Sequence, residues 1–156
     1  MHISIIAVGK KMPDWINQAI AEYSKRLSGD VRINLTEVTA ERRSKTLSIE
    51  TSRLREARKI RAALPQGNPY ISLDEAGKQL ATGDIATKLA AWIRNGQAPS
   101  LIIGGADGLH PSLKQESSEL WSLSKLTLPH ALARLILVEQ IYRAWTILKQ
   151  HPYHRR

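Results

Sequence analysis

Cysteine is absent from all 156 residues of the chain. Disulfides, thiolate metal sites and cysteine nucleophiles are therefore excluded together. Long apolar runs are missing as well. None approaches the roughly 18 residues that a membrane-spanning helix needs, so no membrane association is expected. The N-terminal stretch has neither a basic leader nor a small-residue cleavage pattern, which predicts a cytoplasmic protein. Acidic residues are scarce beside basic ones, 14 Asp and Glu against 23 Lys and Arg, leaving a net charge of +9. That balance favours a polyanionic partner. No basic segment carries the apolar aromatic face of a membrane-surface helix, so nucleic acid leads. Repeats, low-complexity tracts and linkers are also lacking, and residues 1–156 read as one domain, long enough to bury a core.

What is present alternates between two periodicities. His2 to Val8 reads as a strand, rich in isoleucine and ended by Gly9. Pro13 then suits the first turn of a helix. Trp15, Ile16, Ala19, Ile20, Tyr23 and Leu27 recur at helical spacing, and the two aromatic residues are expected to pack in the core. Val31 to Val38 gives a second strand. Thr39 to Lys45 reads as a mobile loop, and Ile49, Leu54, Ala57, Ile60 and Leu64 mark a helix stopped by Pro65 and Gly67. Arg42, Arg43, Lys45, Arg53, Arg55, Arg58, Lys59 and Arg61 lie on or beside that helix. They form a candidate phosphate-contacting surface, although charge runs more often mark a merely solvated face.

A third strand is expected over Pro69 to Leu73, a helix from Thr82 to Asn95-Gly96, and a fourth strand over Leu101 to Ile103. Pro111 opens a short helix, and Ser122 to Leu128 alternates like a fifth strand. The order predicts an α/β fold, a mainly parallel sheet with helices on both faces. Ala131 to Gln150 is the last helix, and Leu135 to Val138 makes it apolar on every side. A second buried face on a terminal helix predicts a partner subunit, most simply in a C2 homodimer. Glu139 and Arg143 lie one turn apart on it and can pair, as an interface salt bridge or in catalysis. Pro152 is expected to release the tail to Arg156 in an extended form that orders over substrate only when RNA is bound.

Leu101-Ile102-Ile103-Gly104-Gly105-Ala106-Asp107-Gly108-Leu109 is the central stretch. A buried strand that ends in paired glycines leaves main chain open to close approach, and ligands of open α/β sheets bind beyond such carboxyl ends. The bland reading is a turn between strand and helix, and the stretch alone does not separate the two. It is not the dinucleotide fingerprint, and no phosphate-loop or Gly-x-Ser-x-Gly motif occurs. His151 and His154 lack an acidic partner at ligand spacing, so no metal is expected.

Several segments together resemble one family. They are Val8-Gly9-Lys10-Lys11-Met12-Pro13-Asp14-Trp15, the glycine stretch, Trp121 to His130, Tyr142-Arg143-Ala144-Trp145 and the tail His151-Pro152-Tyr153-His154-Arg155. Colinear over essentially the whole length, they resemble the ribosomal large-subunit methyltransferase H group, small members of the SPOUT class. The resemblance implies a single trefoil-knotted α/β domain and a homodimer whose sites borrow residues from both chains. It implies S-adenosylmethionine-dependent methylation of N3 of a pseudouridine in 23S rRNA, on the assembled ribosome. Carried onto this chain, the cofactor positions are Leu73, Gly104 with Gly105, and Leu123, Ser124, Lys125, Leu126, Thr127 and Leu128. The family's glycine loop often carries Pro-Glu where this chain has Ala106-Asp107, a carboxylate on a shorter side chain.

The acceptor nitrogen is an imide N–H that must lose its proton, a step a general base accelerates by roughly 10²–10⁴-fold. His154 is the tail candidate and Glu139 the one on the helix. Arg143 and Arg155 offer guanidinium donors for phosphate or for the developing anion, and Tyr153 a ring to stack on a flipped base. An ordinary basic terminus gripping RNA backbone is the competing reading of these residues. Two other functions compete: a non-catalytic RNA-binding module, and a nucleotide-binding enzyme whose charge is incidental.

Overall fold

The computed structural model describes residues 1–155. Five strands form one sheet, β1 (His2–Val8), β2 (Arg32–Val38), β3 (Tyr70–Gln79), β4 (Ser100–Ile103) and β5 (Glu119–Ser122). Their order is β2-β1-β4-β3-β5 and every pairing is parallel. Helices α1 (Asp14–Arg26), α2 (Ile49–Ala63), α3 (Thr82–Asn95), α4 (Pro111–Glu116) and α5 (His130–Leu148) connect or follow them.

Alternation along the strands sorts the core into two layers. Ile3, Ile5, Ala7, Leu101 and Ile103 face one side, with buried residues of α1, α3 and α5. Ile6, Val8 and Ile102 face the other, against Ala57 and Ile60 of α2 and Leu113 of α4. Both faces of the central strands are thus covered, which parallel sheets require. The α/β architecture expected from the sequence is the one observed.

Four local expectations are corrected. Trp15 is 58% exposed rather than packed in the core. The core stripe of α1 runs through Ile16 and Ile20, and Trp15 stands about 100° off that line in the first turn. Tyr23 does pack against the core. The fifth strand is Glu119–Ser122, and Leu123 to Leu128 is loop. Its serines bond locally instead of pairing: Ser122 Oγ donates to the Ser124 carbonyl at 3.0 Å, and Ser124 Oγ accepts from the Leu126 N–H at 2.9 Å.

The third strand does not stop at Leu73. It bulges, so that Leu73 and Lys78 both lie opposite Trp121. Gly77 makes the return possible, since a Cβ there would stand 2.5 Å from the Trp121 carbonyl carbon. The fourth correction concerns Thr39 to Lys45, which is tethered rather than mobile. Lys59 donates to the Thr39 carbonyl, the Glu41 N–H donates to Glu56, and Arg43 pairs with Asp107 at 2.8 Å.

Helix α5 lies between α1 and α3. Leu137, Val138, Ile141, Tyr142, Ala144 and Trp145 are buried, while Leu132, Leu135 and Ile136 remain half-buried on its flank. Its neighbours in the same chain therefore cover part of the surface assigned to a partner from sequence. Arg134, set in the apolar run, is itself 1% exposed. It pairs with Glu37 at 2.6 Å and donates to the carbonyls of Val8 and Gly9 at 3.0 and 2.8 Å, which ties the helix to the end of β1.

Candidate active site

Because all strands are parallel, their carboxyl ends lie on one rim of the sheet. Three connections meet there: the bulge of β3, the glycine loop after β4, and the loop from β5 to α5. They enclose a cavity of about 920 Å³, near the upper end of the range for small-molecule sites. Leu73, Gly104 and Gly105 line it, as do Leu123, Ser124, Leu126, Thr127 and Leu128. Lys125, assigned with them, is exposed and stands outside the lining. Asp74, Glu75, Lys114, Arg53 and His130 also face the cavity, and the sequence reading had placed none of them there. Asp74 and Glu75 arrive through the bulge, which periodicity did not signal.

The paired glycines line the cavity and also meet a packing demand of the turn itself. A Cβ at Gly104 would meet the Gly108 carbonyl carbon at 2.9 Å and the Leu109 side chain at 3.0 Å. One at Gly105 would meet Val8 at 3.0 Å. The loop folds tightly on itself, with the Gly108 N–H bonded to the Gly105 carbonyl at 3.1 Å and Gly108 at φ +77°. Gly104 is thus required by the loop's own packing, Gly105 sits tightly against the Val8 side chain of β1, and both leave open main chain at the cavity.

The donor set suits an adenosyl ligand. Among the described residues, only Leu126 of the N–H groups from Lys125 to Leu128 bonds within the chain. Unpartnered main-chain donors beside Leu123, Leu126 and Leu128 can read a purine edge while the side chains cover its faces. His130 opens α5 at the cavity wall. Burial, with the Arg134 charge beside it, lowers its pKa.

The tail does not leave the core in extended form. Gln150 takes φ +54°, the His151 N–H donates to the Thr146 carbonyl at 2.9 Å, and Pro152–His154 forms a 3-10 turn. This reversal lays Tyr153 on Tyr142, ring centroids 4.7 Å apart. The Tyr153 hydroxyl donates to Glu139 at 3.0 Å and, its one proton so used, accepts from the Tyr23 hydroxyl at 3.3 Å. Arg143 pairs with Glu139 at 2.9 Å and stands 4.8 Å from the Tyr153 ring centroid. Burial, then bonding to Tyr23 and Glu139, raises the pKa of Tyr153. His154 Nδ1 is buried with no hydrogen-bond partner among the described residues. Arg155 is exposed. Arg156, also part of the expected tail, lies outside the described residues.

Glu139, Arg143 and Tyr153 therefore form one cluster, with His154 next to Tyr153 in the 3-10 turn, and none of the four lines the cavity. At 1.5 Å per residue, Glu139 lies about 9 Å along α5 from Ala133, the last α5 residue lining the cavity, and Arg143 about 15 Å.

Comparison with known proteins bears on what such a cavity does. A family model described as "Predicted SPOUT methyltransferase" matches residues 1–154. A protein of Ralstonia nicotianae named "Ribosomal RNA large subunit methyltransferase H" is 50% identical over 155 residues, covering 99% of both chains. One of the same name from Hydrogenovibrio crunogenus is 46% identical over the same coverage. Among solved structures, a probable methylase family protein from Haemophilus influenzae superposes with a TM-score of 0.53 at 12% identity, over 99% of this chain and 70% of the other. A putative methylase family protein from Neisseria gonorrhoeae gives 0.51 at 15%, over 90% and 81%. These two likenesses speak to the fold, and the sequence matches to the family: the chain belongs to the SPOUT methyltransferases and is an enzyme of that class.

Proposed function

We propose that this enzyme transfers a methyl group from S-adenosylmethionine to N3 of a pseudouridine in 23S rRNA, as a cytoplasmic homodimer acting on the assembled ribosome. The observation that carries the reading is the cavity where the loops after β3, β4 and β5 converge. It joins unpartnered main-chain donors to leucine walls, and it is large enough for an adenosyl group with its amino-acid tail. When bound, the sulfonium supplies an already activated methyl, so the protein's task is mainly orientation. Relatives named for large-subunit rRNA methylation over nearly the full chain support rRNA as substrate, and a net charge of +9 suits a polyanion.

Removal of the acceptor proton falls to the tail cluster. Glu139 already accepts from Tyr153, Arg143 and Gln140. Among the described residues His154 makes no such bonds, and its Nδ1, buried and unpartnered, can hold the ring while Nε2 takes the proton, which makes it the better base of the two. Arg143 and Arg155 then supply positive charge beside the developing anion, and the Tyr153 ring a surface for the base.

A separation of about 9–15 Å along α5 from Ala133, the last α5 residue lining the cavity, keeps this cluster from the cavity of its own chain. A C2 dimer that sets the tail of one chain over the cavity of the other removes the difficulty, and half-buried Leu132, Leu135 and Ile136 offer apolar surface for it. Sedimentation at micromolar concentration is expected to give twice the 17.5 kDa chain mass. A monomer at that concentration would break the shared-site arrangement. For the function itself, calorimetric titration with S-adenosylmethionine is expected to give one site per chain. No heat of binding with the folded protein would remove the cavity as the cofactor site.

A further inference from the structure

Asp107 sits at the tip of the glycine loop and is held from two directions. Its carboxylate pairs with Arg43 at 2.8 Å, and its main-chain carbonyl accepts from Arg53 Nε at 2.6 Å. Arg43 comes from the segment after β2 and Arg53 from the first half of α2, so three separate parts of the chain converge on one residue. Arg53 spends only Nε on this contact, and no other bond to its guanidinium occurs among the described residues. It lines the cavity with its remaining N–H groups open. Arg43 is 75% exposed in its side chain and spends only one terminal nitrogen.

The neighbourhood is positive on balance. Arg42 and Lys45 flank Arg43 in sequence, are exposed and make no ion pair among the described residues. By contrast, Arg55 and Lys59 are occupied by Glu41, and Arg61 by Glu116. Glu56 also lies near the loop, but it is buried beneath Gly105 and accepts from the Glu41 N–H at 3.0 Å. Burial, with Asp107 and Glu41 nearby, raises its pKa and so weakens its opposing charge at lower pH.

We propose that Asp107 organises Arg43 and Arg53 into a two-guanidinium clamp at the rim of the cavity, which grips a backbone phosphate of the RNA strand carrying the target nucleotide. The proposal rests on the reading of this chain as an rRNA methyltransferase and assigns part of its substrate site. Guanidinium is suited to the task because its planar fork matches two phosphate oxygens at once. Fixing each fork through one nitrogen leaves the others aimed and lowers the ordering cost of binding. Asp107 is a positioning residue here, since its own charge would repel the phosphate.

The test compares wild type with Arg43→Ala, Arg53→Ala, the double variant and the double lysine variant, each with ribosomes at several salt concentrations. Each alanine is expected to lower the slope of log K against log salt by about one. The double alanine variant should lose ribosome affinity by about tenfold or more, while Arg43→Ala, outside the cavity lining, should keep S-adenosylmethionine affinity within about twofold. The double lysine variant should recover most of the salt slope, which depends on charge, but less of the affinity, which depends on the fork. An unchanged slope in both alanine variants overturns the clamp. So does a fall in cofactor affinity equal to the fall in ribosome affinity, because Arg53 would then only brace the glycine loop. Failure of wild-type protein to bind the cofactor would sink the methyltransferase reading and leave the salt-slope comparison standing.

Discussion

Truncation after Pro152 is expected to lower the single-turnover rate of methyl transfer to ribosomes by at least about 100-fold, the lower end of what a general base contributes. Cofactor affinity should fall far less than the rate, since the cavity lining comes from the loops after β3, β4 and β5 with Arg53, Lys114, His130 and Ala133 and holds no tail residue. The fold should weaken without being lost. Removing Tyr153 uncovers the Tyr142 ring and deprives Glu139 of one donor, which together cost about 1–2 kcal/mol. His154→Ala isolates the chemical role from these structural ones. It should lower the rate at saturating ribosomes by more than it lowers ribosome affinity. A loss confined to affinity would leave His154 as a docking residue and shift the search for the base to Glu139 or to His130, the imidazole at the cavity wall.

Gly77→Ala should be the most damaging single methyl addition in the chain. Its Cβ would lie 2.5 Å from the Trp121 carbonyl carbon and 2.7 Å from the Trp121 nitrogen. Both contacts are with backbone, so no side-chain rotation relieves them, and β5 must move away from β3. A cost of about 3 kcal/mol or more is expected, at the upper end for overpacking, lowering Tm by about 10 °C in a chain of this size. Because β5 leads directly into the loop of Leu123 to Leu128, cofactor affinity should fall as well. Gly67→Ala is the control. Unlike Gly77, it stands at positive φ, +72°, but nothing lies within 4 Å of its Cβ, so only about 1 kcal/mol of backbone strain is expected. Equal losses in the two variants, measured by urea unfolding, would contradict the close approach at Gly77.

The strands and helices that were legible share strong local signals. Isoleucine-rich runs ended by glycine mark β1 and β4, and proline or Asn-Gly punctuation bounds α3 and α4. Where reading failed, a tertiary or side-chain effect had overridden the pattern. Ser122 to Leu128 alternates like a strand, yet its serine hydroxyls satisfy nearby main chain and bend it into a loop. The β3 bulge depends on a glycine with no turn partner in sequence, so nothing local announced that Asp74 and Glu75 would face the cavity. Arg134 hides in an apolar run because its partners, Glu37 and the Val8 and Gly9 carbonyls, lie about a hundred residues earlier. Trp15 was misplaced because a bulky ring near a helix stripe is easily counted with it. The grouping of Leu73, Gly104 and Leu123 to Leu128 came from family resemblance, and no periodicity could have supplied it. Asp107, which the resemblance marked only as a departure, proved to be where the basic segment meets the cavity wall.

Transfer of a labelled methyl group from S-adenosylmethionine to ribosomes lacking the modification tests the central claim most directly. Digestion of the recovered 23S rRNA to nucleosides then locates the label. The account predicts one methyl per ribosome, on N3 of a pseudouridine, with free 23S rRNA a much poorer acceptor. No incorporation by a folded, cofactor-binding protein, or label on another nucleoside, would contradict it.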